Sequence, residues 1–221
     1  MAEREGRSPA VDNESEITLG LLEAVHADGA LTQRSAASQL GIALGLTNAY
    51  LKRCVKKGLI KVQQVPPNRY SYYLTPKGFS EKSRLTAEYL SYSFTVFRRA
   101  RNECADIFGD CARRGWRRVA LCGTGDVAEI ATLCAREQPE VEIAGVLARE
   151  PGLDRAAGYL GLPLAAYLME LGAVDAVILT DLRAPQATYD WLRGQLPDDR
   201  VLAPPFLRVV RAAAEPSEAR A

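Results

Sequence analysis

The chain has 221 residues, 48% hydrophobic and 25% charged, with 28 Lys+Arg against 27 Asp+Glu, a balance that excludes a disordered or fibrous chain and allows two small domains with cores of their own. No run of about 18 apolar residues occurs, and Met1–Asp12 lacks the apolar core of a signal peptide, so a cytoplasmic protein with no membrane partner is expected. Five scattered cysteines without a C-x-x-C pair and a single histidine, His26, leave no metal site to expect and fit reduced thiols rather than a disulfide framework.

The charges are segregated. Leu31 to Phe79 holds eight basic residues (Arg34, Lys52, Arg53, Lys56, Lys57, Lys61, Arg69 and Lys77) and no Asp or Glu, so against a net charge of +1 the remainder carries 1 − 8 = −7. Within a near-neutral protein, such a segment is the footprint of a surface that meets a polyanion.

Residues 1–14 and 212–221 are polar and expected to be loose tails. From 15 to 79 the pattern predicts three helices and a hairpin. Ile17, Leu21, Leu22 and Val25 share one face of the first helix. Thr32 can cap a short second helix that Gly41 ends, and a brief turn leads into Leu44–Lys57, ended by Gly58. LIKVQQV and YSYYL then read as strands joined at Pro66-Pro67-Asn68-Arg69. This is the outline of a winged helix-turn-helix.

A helix N-terminus in the major groove needs short polar side chains near its start and basic ones further along to hold phosphates. In the third helix Asn48, Lys52 and Lys56 share a face that Gly45 opens, Arg53 and Lys57 extend its basic side, and Leu51, Cys54 and Val55 are expected to face inward. Arg69 belongs at the wing tip. These seven residues, Gly45, Asn48, Lys52, Arg53, Lys56, Lys57 and Arg69, are the candidate contacts to double-stranded DNA; a merely solvated basic face is the alternative. LTQRSAASQLGI, NAYLKRCVKKGLIKV and YYLTPKGF resemble the winged helix of MarR-type transcriptional regulators over Ile17–Phe79. The resemblance implies a homodimer on a pseudo-palindromic operator, although the chain beyond Phe79 is too long and too β/α-rich for such a domain alone.

Residues 80–114 have no proline, and Leu90, Phe94, Phe97, Ala100, Cys104, Ile107 or Phe108, and Cys111 recur every three or four positions. They predict one long linker helix whose seam either pairs with a second copy or packs on its own chain. Over 115–211, strand-like RVALC, VEIAGVL, LGLPL, VDAVILT and RVLAPPFLRVV alternate with helix-like stretches, AAYLMELG among them. The fold class is therefore α/β, with a C-terminal doubly wound, Rossmann-like parallel sheet in the order 3-2-1-4-5.

Cys122-Gly123-Thr124-Gly125-Asp126-Val127-Ala128 lies between a predicted strand and a predicted helix, the setting in which G-x-G-x-x-A cradles a phosphate. Gly123, Thr124, Gly125 and Asp126 are the first cofactor candidates. Arg149, after the second strand, could meet a phosphate, because Ala148 stands where an acid takes ribose hydroxyls. Thr180, Asp181 and Arg183, at the end of the fourth strand, belong across the crevice. The alternatives are a tight turn built from small residues and a helix cap before Pro185. The shared V-A-L-x-G-x-G, the strand ending G-V-L, the G-L-P segment and V-D-A-V-I-L resemble the NAD-binding domain of Rex-type redox repressors. There is also a likeness to the nucleotide-binding front of some sugar-modifying acyltransferases and to CoA-binding domains. The ligands implied are NAD(P)(H), a nucleotide-sugar or a CoA-like molecule.

A thiol switch involving Cys104, Cys111 and Cys122 competes with simple burial. No Tyr-x-x-x-Lys pair or second substrate domain suggests an enzyme. The expected protein is a dimeric DNA-binding regulator whose operator affinity follows a nucleotide-like effector at the glycine turn. The alternative is a constitutive DNA-binding protein whose C-terminal half dimerises or recruits a protein.

Overall fold

The computed structural model describes residues 13–65, 69–148 and 156–211. The chain divides into two units, Met1–Val96 and Phe97–Ala221.

The first unit is built from α1 (Asn13–Ala27), α2 (Gln33–Leu40), α3 (Leu44–Lys56), β1 (Ile60–Val65), β2 (Arg69–Leu74) and the first part of a long helix, α4 (Pro76–Arg113). α1 begins inside the segment expected to be loose, with Glu14 and Glu16 in its first turn, where the helix dipole favours negative charge. Thr32 and Ser35 form a reciprocal capping box at the start of α2. Gly41 ends that helix at φ +63°, donating its N–H to Ala37 and Ser38, a left-handed conformation glycine adopts without strain. β1 and β2 pair antiparallel from Ile60 opposite Leu74 to Val65 opposite Arg69; the wing tip between them lies outside the described residues. Leu21, Leu22, Val25, Leu31, Leu51, Cys54, Ile60 and Leu85 form the core of this unit.

Thr75-Pro76-Lys77-Gly78 fastens the start of α4 to the end of α3. The Thr75 hydroxyl donates to the Gly58 carbonyl (2.6 Å) and accepts the Gly78 N–H (3.0 Å), while Lys77 Nζ donates to the Lys57 carbonyl (2.9 Å). A Cβ on Gly78 would lie 2.0 Å from the Leu59 oxygen, so only glycine lets the two backbones approach this closely.

In the second unit the strands β3 (Arg118–Cys122), β4 (Glu142–Leu147), β5 (Leu164–Ala165), β6 (Ala176–Leu179) and β7 (Val201–Leu202) form one parallel sheet in the order β5-β4-β3-β6-β7. Counted from β3, this is the expected 3-2-1-4-5. Alternate residues serve opposite faces. Val119, Leu121, Val146 and Ile178 pack with α5 (Asp126–Ala135) and with Ala100, Cys104, Phe108 and Cys111 of α4. Ala120, Cys122, Leu147, Val177 and Leu179 pack with Tyr189 and Leu192 of α6 (Pro185–Arg193).

One expectation needs correction. AAYLMELG forms a 3-10 turn at Leu168–Leu171 rather than an α-helix, because Leu171 folds back over the space left by Gly145, with its Cδ2 only 2.6 Å from where a Cβ would stand. Of the two alternatives for the α4 seam, its C-terminal part follows the second. Ala100, Cys104, Phe108 and Cys111 are spent on this chain's own sheet, whereas Tyr89, Leu90, Phe94, Val96 and Phe97 are 42–57% exposed. These five residues occupy one half of the helix circumference. Among the described residues, no helix is long and apolar enough to cross a membrane.

Candidate nucleic-acid interface and glycine turn

α3 buries Thr47, Leu51 and Cys54 against the core of the first unit. Opposite them runs an exposed strip of Gly45, Ala49, Lys52 and Lys56, spaced four, three and four residues apart as an outward helix face requires. On one flank, Lys52, Val55 and Lys56 border a groove of about 460 Å³ shared with Gln33 of α2 and with Val62, Tyr70 and Tyr72 of the hairpin. Val55, expected to point inward, is 37% exposed on the wall of this groove, because the angular position of Leu51 and Cys54 turns residue 55 toward the hairpin.

Arg53 and Lys57 lie on the opposite flank. The Arg53 guanidinium donates to Glu14 of α1, with Lys57 Nζ 3.9 Å from the same carboxylate oxygen, and it lies 5.2 Å from the Tyr50 ring centroid. The Glu14 hydrogen bond, reinforced by its charge, raises the Arg53 pKa. Both residues therefore hold α1 to α3 as well as adding positive charge. Asn48 is half-buried, and its Oδ1 is shielded with no hydrogen-bond partner. Arg69 opens β2, but its side chain lies outside the described parts.

Residues 14–61 match the winged helix-turn-helix DNA-binding family. The match spans α1 to the start of β1. No curated protein matches the chain. Among solved structures, MepR of Staphylococcus aureus, a transcription regulator of the multidrug efflux pump MepA, is similar at 28% identity over 39% of this chain and 63% of that one, with a TM-score of 0.34. A MepR–DNA complex gives 28% identity over 39% of this chain and 62% of that one, at a TM-score of 0.34. PcaV from Streptomyces coelicolor gives 21% identity over 44% and 74%, at 0.37. The chain thus spans less than two thirds of MepR's length, and the larger part of the chain lies outside these likenesses.

Away from the winged helix, β3 ends in the glycine turn. Gly123 donates its N–H to the Leu147 carbonyl (2.9 Å). Its φ of +112° and the Asp181 nitrogen, 2.5 Å from where a Cβ would sit, admit only glycine. Gly125 shares that φ with open space around it, and its N–H donates to the Tyr159 hydroxyl at 2.7 Å. Adjacency of β3 and β6 brings the two predicted groups together. The buried Thr180 hydroxyl donates to the Gly123 carbonyl (2.7 Å). The Asp181 carboxylate accepts from the Thr188 hydroxyl (2.6 Å) and from the Arg183 (2.8 Å) and Ala184 (3.4 Å) N–H groups at the start of α6.

Burial works against ionisation of Asp181, but those three hydrogen bonds outweigh it and hold the carboxyl below the usual aspartate range. Asp126 is exposed in the first turn of α5, and Arg149 lies outside the described residues. Glu14, Gln33 and Tyr159 carry no local sign in the sequence, because their partners lie 34–39 positions away rather than one helix turn.

All five cysteines are buried. Burial pushes the Cys104 thiol up to about 12 and the Cys111 thiol up to about 11, so both remain protonated at neutral pH and are poor nucleophiles.

Proposed function

We propose that this chain is a non-enzymatic transcriptional regulator that binds double-stranded DNA as a homodimer, with α3 as the recognition helix. The observation that carries the reading is the outward strip Gly45, Ala49, Lys52 and Lys56, within a winged helix-turn-helix whose segment from Leu31 to Phe79 holds no acidic residue. Lys52 and Lys56 neutralise phosphates. Dimerisation uses the exposed apolar face of α4 from Tyr89 to Phe97, an area of the kind that marks an interface. A titration of labelled duplex DNA with the full chain at several salt concentrations tests the reading: affinity must fall steeply as salt rises.

The α/β unit is the sensor in this reading. A nucleotide-like effector of the NAD(P)(H), nucleotide-sugar or CoA class docks at Gly123–Asp126, with Thr180, Asp181 and Arg183 around it. Binding shifts the dimer between geometries that present the two recognition helices differently. A second reading, constitutive DNA binding with an α/β unit that only dimerises or recruits a protein, draws on the Tyr159 hydroxyl already holding the Gly125 N–H. A thermal-shift screen against the three ligand classes separates them, since a ligand at 100 times its Kd stabilises by about 2.7 kcal/mol.

A further inference from the structure

We infer that α3 reads its DNA site mainly through the 5-methyl groups of thymine rather than through a hydrogen-bond code. The inference rests on the reading of α3 as the recognition helix and adds the chemistry of what it recognises.

The side chains that would meet the base edges are those of the helix's first half. Leu44 and Leu46 are 43% and 42% exposed, with Gly45 and Ala49 exposed between and beyond them. None of the four carries a side-chain donor or acceptor. The hydroxyl in this stretch, on Thr47, is fully buried and donates to the Ala43 carbonyl at 3.2 Å. The one amide, on Asn48, is half-buried with its Oδ1 shielded.

In the major groove the thymine methyl is the apolar feature of a base edge, and apolar side chains are what contact it. Leu44 and Leu46 flank the Gly45–Ala49 strip, one on each side, and are complementary to such methyls; these four residues themselves hold no partner for the donors and acceptors of a G·C pair, and the donor next along the strip is Lys52. A Cβ built on Gly45 would meet nothing within 4 Å, so the backbone there is bare and can come close to the groove floor. Charge fixes the occupant as nucleic acid rather than an apolar protein face. Lys52 and Lys56 continue the same strip one and two turns further on, positioned to hold phosphates while the leucines lie over bases.

The test uses the full-length protein and a random-sequence duplex library. The selected duplex is then resynthesised with deoxyuridine replacing one thymine at a time, a change that removes only the methyl. The expected result is thymine-rich half-sites in which two or more adjacent substitutions each weaken binding by about fourfold, the worth of one buried methyl group. Leu44→Ala is expected to abolish the uracil penalty at one of those positions while leaving the salt dependence unchanged. Uracil duplexes bound as tightly as thymine duplexes, with the Lys52→Ala, Lys56→Ala protein still showing a flattened salt dependence, would overturn the methyl code and leave α3 on DNA. Failure to select any duplex, or an unchanged salt dependence in the lysine variant, would overturn the recognition-helix reading and this inference with it.

Discussion

The Tyr159 hydroxyl accepts the Gly125 N–H at 2.7 Å, the amide that a phosphate would take in a glycine turn of this type. An effector docking there as proposed would have to displace the Tyr159 hydroxyl from this donor. Tyr159→Phe removes the internal competitor without changing shape, so nucleotide-like ligands are expected to stabilise this variant more than the parent in thermal unfolding. Gly125→Glu, placed in open space but at a positive φ, is expected to abolish the shift. Equal responses of parent and Tyr159→Phe would remove Tyr159 from any part in ligand binding.

Phe94 and Phe97 are 57% and 42% exposed on one side of α4. Burying the exposed half of each ring against a partner is worth on the order of 1 kcal/mol. Phe94→Glu, Phe97→Glu is expected to convert a dimer to a monomer in analytical ultracentrifugation with its helical circular dichroism retained. A variant that still sediments as a dimer would place the interface elsewhere.

Among the described glycines of the winged unit Gly78 has the least room for a side chain, with the Leu59 oxygen 2.0 Å from its absent Cβ. Gly78→Ala must push β1 and α4 apart and is expected to cost about 1–3 kcal/mol of unfolding free energy, the usual penalty of forced overpacking. Gly45→Ala, in open space, provides the control and is expected to leave the melting temperature nearly unchanged. Equal melting temperatures for the two variants would contradict the packing described at Thr75–Gly78.

Asp181 gives the α/β unit a pH dependence of definite sign. Its carboxyl titrates below the usual range in the folded state, so the unfolded chain takes up its proton first as pH falls. Its contribution is fully present above the unfolded aspartate value of about 3.9 and is lost as pH drops through the lower folded value. Asp181→Ala is expected to cost about 1 kcal/mol at pH 7, the net worth of a typical intramolecular hydrogen bond, and the difference from the parent should shrink in acid. A difference that is constant with pH would show that the carboxylate charge plays no part.

Much of the winged unit can be read from local rules. Thr32, Gly41 and Gly58 punctuate the helices through bonds that reach four or five residues at most, and the acid-free stretch marks the charged face without any folding. The order of the sheet also follows from the alternation of strands and helices. The missed features depend on contacts between distant parts of the chain. Val55 faces a groove because the hairpin comes to lie beside α3. The apolar rhythm of α4 looks uniform in sequence, yet Cys104 and Phe108 cover the sheet while Phe94 and Phe97 remain in solvent. Tyr159 reaches Gly125 across 34 positions, which no spacing rule anticipates.

The central claim is that Lys52 and Lys56 of α3 hold DNA phosphates, and the salt dependence of binding tests it most directly. For a selected duplex, the plot of log affinity against log salt should lose about 0.9 of its slope for each phosphate contact removed. The Lys52→Ala, Lys56→Ala protein is therefore expected to bind more weakly and along a flatter line at an unchanged melting temperature. A folded double variant with the parent's affinity and slope would contradict the claim.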